Sequence, residues 1–286
     1  MKKTIVSFFF SICVSSLFLV ASCDKMTKTT ENSIAFNSIQ VDETHHTNSD
    51  TSNSACNLRI SFTFPDSSQS TELTKTLQAI FVGKMYGDSF SSLSPQKATE
   101  GYTQQYIEAF KQLESLLQED REENENTHEF ENEYKNENDY TYYTWLESTV
   151  LFNQNNYISF TVSSHIYEGG ARSSQNINGY VINLETGQLL QEDDFAGIHY
   201  KNSVSKILAQ KIAKENNLTN PTELENLGYN PADEITPNNN FTIDNKGITY
   251  YFNENEIAGT TAGLTTVFIP YEEISIYIKK DNSFVK

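Results

Sequence analysis

The sequence predicts an α+β fold in two small lobes, each a mostly antiparallel sheet with one or two packed helices. Three observations carry that expectation. Alternating, strand-like runs and helical periodicities interleave without the regular strand–helix–strand repeat of a parallel α/β fold. Helical periodicity is confined to a few segments, each with its own start or stop signal. Finally, 37% of the 286 residues are apolar and 12% aromatic, enough for a buried core despite a formal charge of −18.

Taken in order, Ile34, Phe36, Ile39 and Val41 suggest a first strand, and the polar run 50–54 a loop. A second strand over Asn57–Phe64 alternates Leu58, Ile60, Phe62 and Phe64 with polar residues and stops at Pro65. Leu73, Leu77, Ile80 and Phe81 share one helical face, with Gly83 or Gly87 available to end that helix. Ser94-Pro95 places a hydroxyl before a first-turn proline, the signature of a helix start. An apolar stripe from Ala98 through Tyr102, Tyr106, Phe110 and Leu113 to Leu117 follows it. The run Glu119–Asp139 holds ten acids against two bases, so it repels itself and reads as a solvated helix end followed by a loop.

From Tyr140 the pattern turns to strands, over Tyr140–Phe152, Tyr157–Tyr167 and Asn176–Leu184, with polar or glycine turns between them. A second long helix is expected over Tyr200–Glu215, and Asn220-Pro221 opens a short one. The chain closes with strands over Phe241–Ile243, Gly247–Phe252 and Leu264–Pro270, then a short amphipathic element from Ile274 to Ile278. The expected division is an N-terminal domain over 33–155 and a C-terminal domain over 156–286.

The N-terminus reads as a targeting segment. Lys2 and Lys3 precede an apolar run, Ile5 to Ala21, that is short for a membrane span and ends in small residues before Cys23. Residues 1–22 are therefore expected to be a signal peptide of lipoprotein type, with Cys23 the lipidated residue and 23–32 a tether. Cleavage removes two lysines and no acid, so the charge moves from −18 to −20. It also leaves Cys56 as the only unmodified thiol. No intramolecular disulfide is then available, and Cys56 reads as a strand residue. The expected location is the envelope of a Gram-negative bacterium, lipid-anchored to the outer or inner membrane and either periplasmic or surface-exposed.

An excess of acids opposes nucleic-acid binding, which depends on Lys and Arg neutralising phosphates. It favours solubility or a cationic partner. The sequence contains no phosphate-binding glycine loop, no HExxH and no GxSxG. No cofactor, metal ligands or catalytic residues are assigned, because the five histidines show no ligand spacing with a thiol and the abundant acids single out no pair. Two segments remain as candidate ligand-binding residues. Tyr140, Tyr142, Tyr143 and Trp145, the only tryptophan, crowd one strand; they read as a sugar-stacking platform or, preferred, as a strand whose alternate rings pack into the core on one face. Tyr167, Gly169, Gly170 and Arg172 follow at a strand end. There the glycines permit a close backbone approach and the arginine can hold a carboxylate or sugar, although a plain hairpin turn is the preferred reading.

The run Tyr167–Ala171, then Tyr180–Gly187 and Glu192-Asp193-Asp194-Phe195, resembles a domain of unknown function of bacterial envelope proteins. Gly247-Ile248, Tyr251-Phe252, Glu256-Ile257-Ala258 and Ile269-Pro270-Tyr271 extend the likeness to about residues 157–278. Residues 33–150 are similar to the companion domain found upstream of it. The pair occurs in the extracellular region of the anti-sigma factor RsiV and in the N-terminal region of the deacetylase PdaC. Where the family pattern has His, this chain has Arg172.

The resemblance implies an α+β fold in two lobes and a binding, non-enzymatic activity. The expected partner is lysozyme or another cationic envelope-associated protein. The alternative is a carbohydrate or peptidoglycan fragment, and a lesser one an uncharacterised envelope hydrolase.

Overall fold

A computed structural model describes residues 30–46, 55–66, 71–126, 142–168, 172–259 and 262–280. Six strands form one sheet in the order β1-β2-β3-β4-β5-β6. They are β1 (Phe36–His46), β2 (Ala55–Pro65), β3 (Tyr142–Gln154), β4 (Tyr157–Tyr167), β5 (Ser174–Asn183) and β6 (Gln188–Leu189). Only the β2–β3 pair is parallel. A parallel pair needs a long crossover, supplied here by α1 (Glu72–Tyr86) and α2 (Pro95–Asn126).

Local chemistry sets these elements. Leu58, Ile60 and Phe62 are fully buried at every second position of β2, while Arg59 between them is exposed. The side chain of Thr71 caps α1 by accepting from the Thr74 N–H at 3.1 Å. Gly87, at φ +100°, ends that helix, and Gly83 stays inside it. Helix α2 starts at Pro95 as expected and runs on to Asn126, through the first part of the acidic run. Glutamate is a good helix former, which lets the helix extend into that run.

The first core lies between the sheet and the two helices. Phe62, Leu77, Phe81 and Phe160 meet there, with the Phe81 and Phe160 rings stacked at 3.9 Å between centroids. Cys56 is buried in β2, as a strand residue.

The second lobe joins α3 (Glu192–Phe195) and α4 (Tyr200–Glu215) to a three-stranded antiparallel sheet. That sheet comprises β7 (Phe241–Ile243), β8 (Gly247–Phe252) and β9 (Thr265–Pro270), followed by α5 (Tyr271–Ile274). Its core sets Val204, Leu208 and Ile212 of α4 against Ile248, Tyr250, Val267 and Ile269. Burial raises the phenol pKa of Tyr200 and Tyr250, which hydrogen-bond to each other at 2.8 Å.

The strands expected over Tyr157–Tyr167, Phe241–Ile243 and Gly247–Phe252, and the helix over Tyr200–Glu215, have the observed bounds. The segments β6 and α3, two and four residues long, were too short to leave a periodicity.

One expectation needs correcting. The division at 155/156 falls at the turn between β3 and β4, inside a continuous six-stranded sheet. Strands β4 to β6 belong with β1 to β3 because β3 and β4 pair along nearly their whole length. The second lobe then packs on part of that sheet. Asn240 donates to the Ile177 carbonyl at 2.9 Å and accepts from the Gly179 N–H at 2.7 Å. The Ser159 hydroxyl donates to the Ile243 carbonyl at 2.7 Å. Gly179 has to be glycine there: a Cβ would stand 2.7 Å from the Phe241 carbonyl oxygen.

The expected signal segment 1–22, Cys23 and the expected tether up to residue 29 lie outside the described residues. Among the described residues, no helix is long and apolar enough to cross a membrane.

Candidate functional site

Strand β4 changes character halfway along. Tyr157–Val162 is buried on both faces, with the α1/α2 layer on one side and the second lobe on the other, whereas Ser163–Tyr167 is half-exposed. Where the second lobe stops, the sheet face opposite the helices is open. A groove of about 770 Å³ lies on it, with Leu264 of the second lobe at its margin.

Strand registry builds the floor. Asp42, Arg59, Trp145, His165 and Gln175 pair in sequence across β1 to β5, one residue per strand. A second row places Glu147 between Ser61 and Ser163. Because side chains alternate, these residues face away from Ile60 and Leu146, which point to the helices.

The rings form a column. Tyr167 stacks on Tyr143 at 5.6 Å with 26° between planes, and Tyr143 on Trp145 at 5.0 Å with 27°. At such separations the ring faces are turned toward one another in offset stacks. Arg59 lies over the indole, its guanidinium carbon 5.4 Å from the ring centroid, a cation–π arrangement. His165 meets Tyr143 and Trp145 edge-on at 5.0 and 5.1 Å. Its Nε2 lies 3.1 Å from the Tyr143 hydroxyl and 3.0 Å from that of Ser173. The imidazole is thus fixed at the centre of the floor. Arg59 is held more loosely, its Nε 3.4 Å from each carboxylate oxygen of exposed Asp42, a contact of the sort that adds little to stability.

Of the residues singled out from sequence, Trp145 lines the groove and is 40% exposed. The preferred expectation of alternate rings packed on one face of the strand applies to Tyr142, and not to Tyr143 or Trp145. Tyr142 faces the helices, with Phe110 at 5.7 Å, and odd-numbered β3 residues face the groove. Tyr143 and Tyr167 buttress the indole from behind instead of presenting a flat platform. Arg172 is exposed just before β5 and does not line the groove. Gly169 and Gly170 lie outside the described residues.

Sequence reasoning missed Arg59, Glu147, His165 and Gln175. The alternation Asn57, Arg59, Ser61, Thr63 already marks a polar face on β2, but only the parallel β2–β3 register shows that Arg59 meets Trp145. Among the described residues no group of three or more His, Cys, Asp or Glu is arranged to hold a metal ion. The described carboxylate with a resolved pKa rise, Glu192, lies in the second lobe and not in this groove. What the floor offers is hydrogen-bonding groups of both kinds, a ring edge, and one cation between two anions.

The fold and groove define a class: a two-lobed α+β protein with a polar, aromatic-edged cleft on the open half of its larger sheet. Comparison with known proteins gives the class a family context. Residues 189–272 match the family described as Protein of unknown function (DUF3298). The chain is similar to the solved structure of a DUF3298 family member from Bacteroides fragilis, with 28% identity and a TM-score of 0.77. That alignment covers 89% of this chain and 96% of the other. A DUF3298 family protein from Pseudomonas aeruginosa shares the fold, at 12% identity and a TM-score of 0.59, over 89% of this chain and 98% of the other. No curated protein sequence matches the chain.

Proposed function

We propose that the protein is a lipid-anchored, envelope-facing binding protein whose groove holds a saccharide chain, a glycan or peptidoglycan fragment. The observation that carries this reading is the cross-strand floor of Ser61, Glu147, Ser163, His165 and Gln175 beside the exposed indole of Trp145. Five strands at about 4.8 Å spacing give a floor roughly 19 Å across, long for a single sugar and suited to several linked rings. Hydroxyl, amide and carboxylate groups at regular spacing suit an array of sugar hydroxyls. A lipid at Cys23 would keep the groove within a short tether of the membrane surface.

A second reading, binding of a cationic protein such as lysozyme, is favoured by the charge of −18 and by the acidic continuation of α2. It also accords with the likeness to the RsiV and PdaC domain pair.

One experiment separates the two. Trp145 is the only tryptophan, so its fluorescence reports the groove directly. Titration with N-acetylglucosamine oligomers should shift the tryptophan emission at high and low salt alike, and Trp145→Ala, which lacks that emission, should lose roughly tenfold or more in calorimetric affinity. The substitution should leave the fold intact, because the indole belongs to neither core. Unchanged affinity in that variant, or no saccharide binding, removes the saccharide reading. Lysozyme binding that weakens steeply with salt would favour the second.

A further inference from the structure

Strand β1 is the outer strand of the six-stranded sheet. It pairs with β2 at all eleven positions, from Phe36 opposite Pro65 to His46 opposite Ala55, without a bulge. Its other edge pairs with no strand among the described residues. Every second residue of an antiparallel strand turns its N–H and C=O away from its partner, so this edge offers a row of hydrogen-bonding groups to an incoming chain. Proteins blunt such edges with charged side chains, proline or a bulge; Phe36–His46 has no lysine, proline or bulge, and its two charges, Asp42 and Glu43, are both acidic.

The space beside that edge is shaped as well as open. A groove of about 480 Å³ runs between β1 and α2. Ile39 and Val41 of β1 and Ile107 of α2 supply its apolar lining, all only partly buried. The Thr103 hydroxyl, buried in the α2 wall, has no hydrogen-bond partner, a state that ordinarily carries a cost. Glu43, Glu100 and Glu108 set three carboxylates around the groove against the one ammonium of Lys111.

We infer that the β1 edge and the β1–α2 groove form a docking site for an extended, basic polypeptide segment, which adds to the sheet as a seventh strand. Its backbone continues the ladder from β1. Alternate small apolar side chains drop toward Ile39, Val41 and Ile107, and its lysines or arginines meet the glutamates of the rim. Main-chain pairing supplies affinity and the alternating pockets supply selectivity. The site is separate from the saccharide reading, since the two grooves lie on opposite faces of β1: Asp42 faces one, Ile39 and Glu43 the other.

The test uses the full chain in detergent micelles and three acetylated ten-residue peptides: alternating Lys-Val, alternating Glu-Val, and Lys-Val N-methylated at every second residue. Binding is read by fluorescence anisotropy of labelled peptides at low and moderate salt, and by hydrogen exchange of the protein. The Lys-Val peptide should bind and slow exchange within Phe36–His46. The Glu-Val peptide should bind at least about tenfold more weakly at low salt. N-methylation, which removes ladder donors and leaves charge unchanged, should cost about tenfold or more. The double variant Glu100→Lys, Glu108→Lys, at two exposed α2 positions, should reverse the charge preference. Equal affinity for the N-methylated peptide, protection confined to other strands, or no binding of the Lys-Val peptide would each overturn the proposal.

Discussion

Glu192 shows how a single residue carries both a fold-level role and a cost. Its carboxylate accepts from the Asn239 N–H at 2.9 Å while its own N–H donates to the Asn239 side chain at 2.9 Å, clasping α3 to the segment before β7. Burial raises its pKa above the ordinary 4.5, outweighing the lowering from the Asn239 backbone and Tyr250 hydrogen bonds. A carboxyl that holds its proton more tightly when folded favours the fold most below pH 4.5, and this contribution is lost as pH rises through the raised value. At neutral pH the ionised group is therefore a liability that its hydrogen bonds only partly offset. Glu192→Gln, which keeps an acceptor for Asn239 and removes the charge, should change stability at pH 7 by less than about 1 kcal/mol. It should also flatten the decline in melting temperature between pH 4.5 and 7. Thermal melts across that range check both, and a large loss at pH 7 would show that the charge itself is needed. The sequence displayed Glu192 within an acidic turn before Phe195, but its burial depends on Asn239, 47 residues away, and no local pattern reveals that.

Strands and helices were the most legible features because each has its own period. β2 alternates strictly, and α4 repeats Val204, Leu208 and Ile212 at helical spacing, so their positions were readable without tertiary knowledge. Half-covered strands were less legible. β4 reads as one uniform apolar–polar run, yet its first half is sandwiched between two layers and its second half forms a groove floor. That difference is imposed by the second lobe, whose contact with β5 tolerates no side chain at position 179. Gly179→Ala would set a methyl group against the Phe241 carbonyl at 2.7 Å and the Tyr251 ring at 2.8 Å. Phe241 is backed by the core of the second lobe and its carbonyl is backbone, so the strands must separate, at a cost of about 1–3 kcal/mol. Gly87→Ala makes a useful contrast: nothing lies within 4 Å of the added methyl, and only the strain of φ +100° remains, about 1 kcal/mol. Urea unfolding of the two variants should rank Gly179→Ala as the more destabilised. The reverse order would mean that the lobe contact is loose enough to absorb a methyl group.

At the scale of the molecule, the two lobes share side chains as well as a boundary. Tyr157 and Val181 are strand residues of the larger sheet, yet they sit in the core of the second lobe. Ser159 exchanges hydrogen bonds with both backbone groups of Ile243, at 2.7 and 3.1 Å, and Asn253 accepts from the Ile177 N–H at 2.8 Å. Neither lobe can lose its partner without exposing apolar surface and unpaired backbone, two large penalties. The chain should therefore unfold as one cooperative unit, with calorimetric and van't Hoff enthalpies in agreement. A fragment cut where the sequence alone would divide it, residues 156–286, tests the same coupling. It would keep β4 but lose β3, leaving an eleven-residue edge with Phe160 and Val162 stripped of the helix layer. Such an edge invites aggregation. The fragment should be insoluble, or should lack the far-UV circular dichroism of its share of the whole. Two resolved transitions in the intact chain, or a soluble and cooperatively melting fragment, would show that the second lobe stands on its own core and that the strands it borrows add nothing it needs.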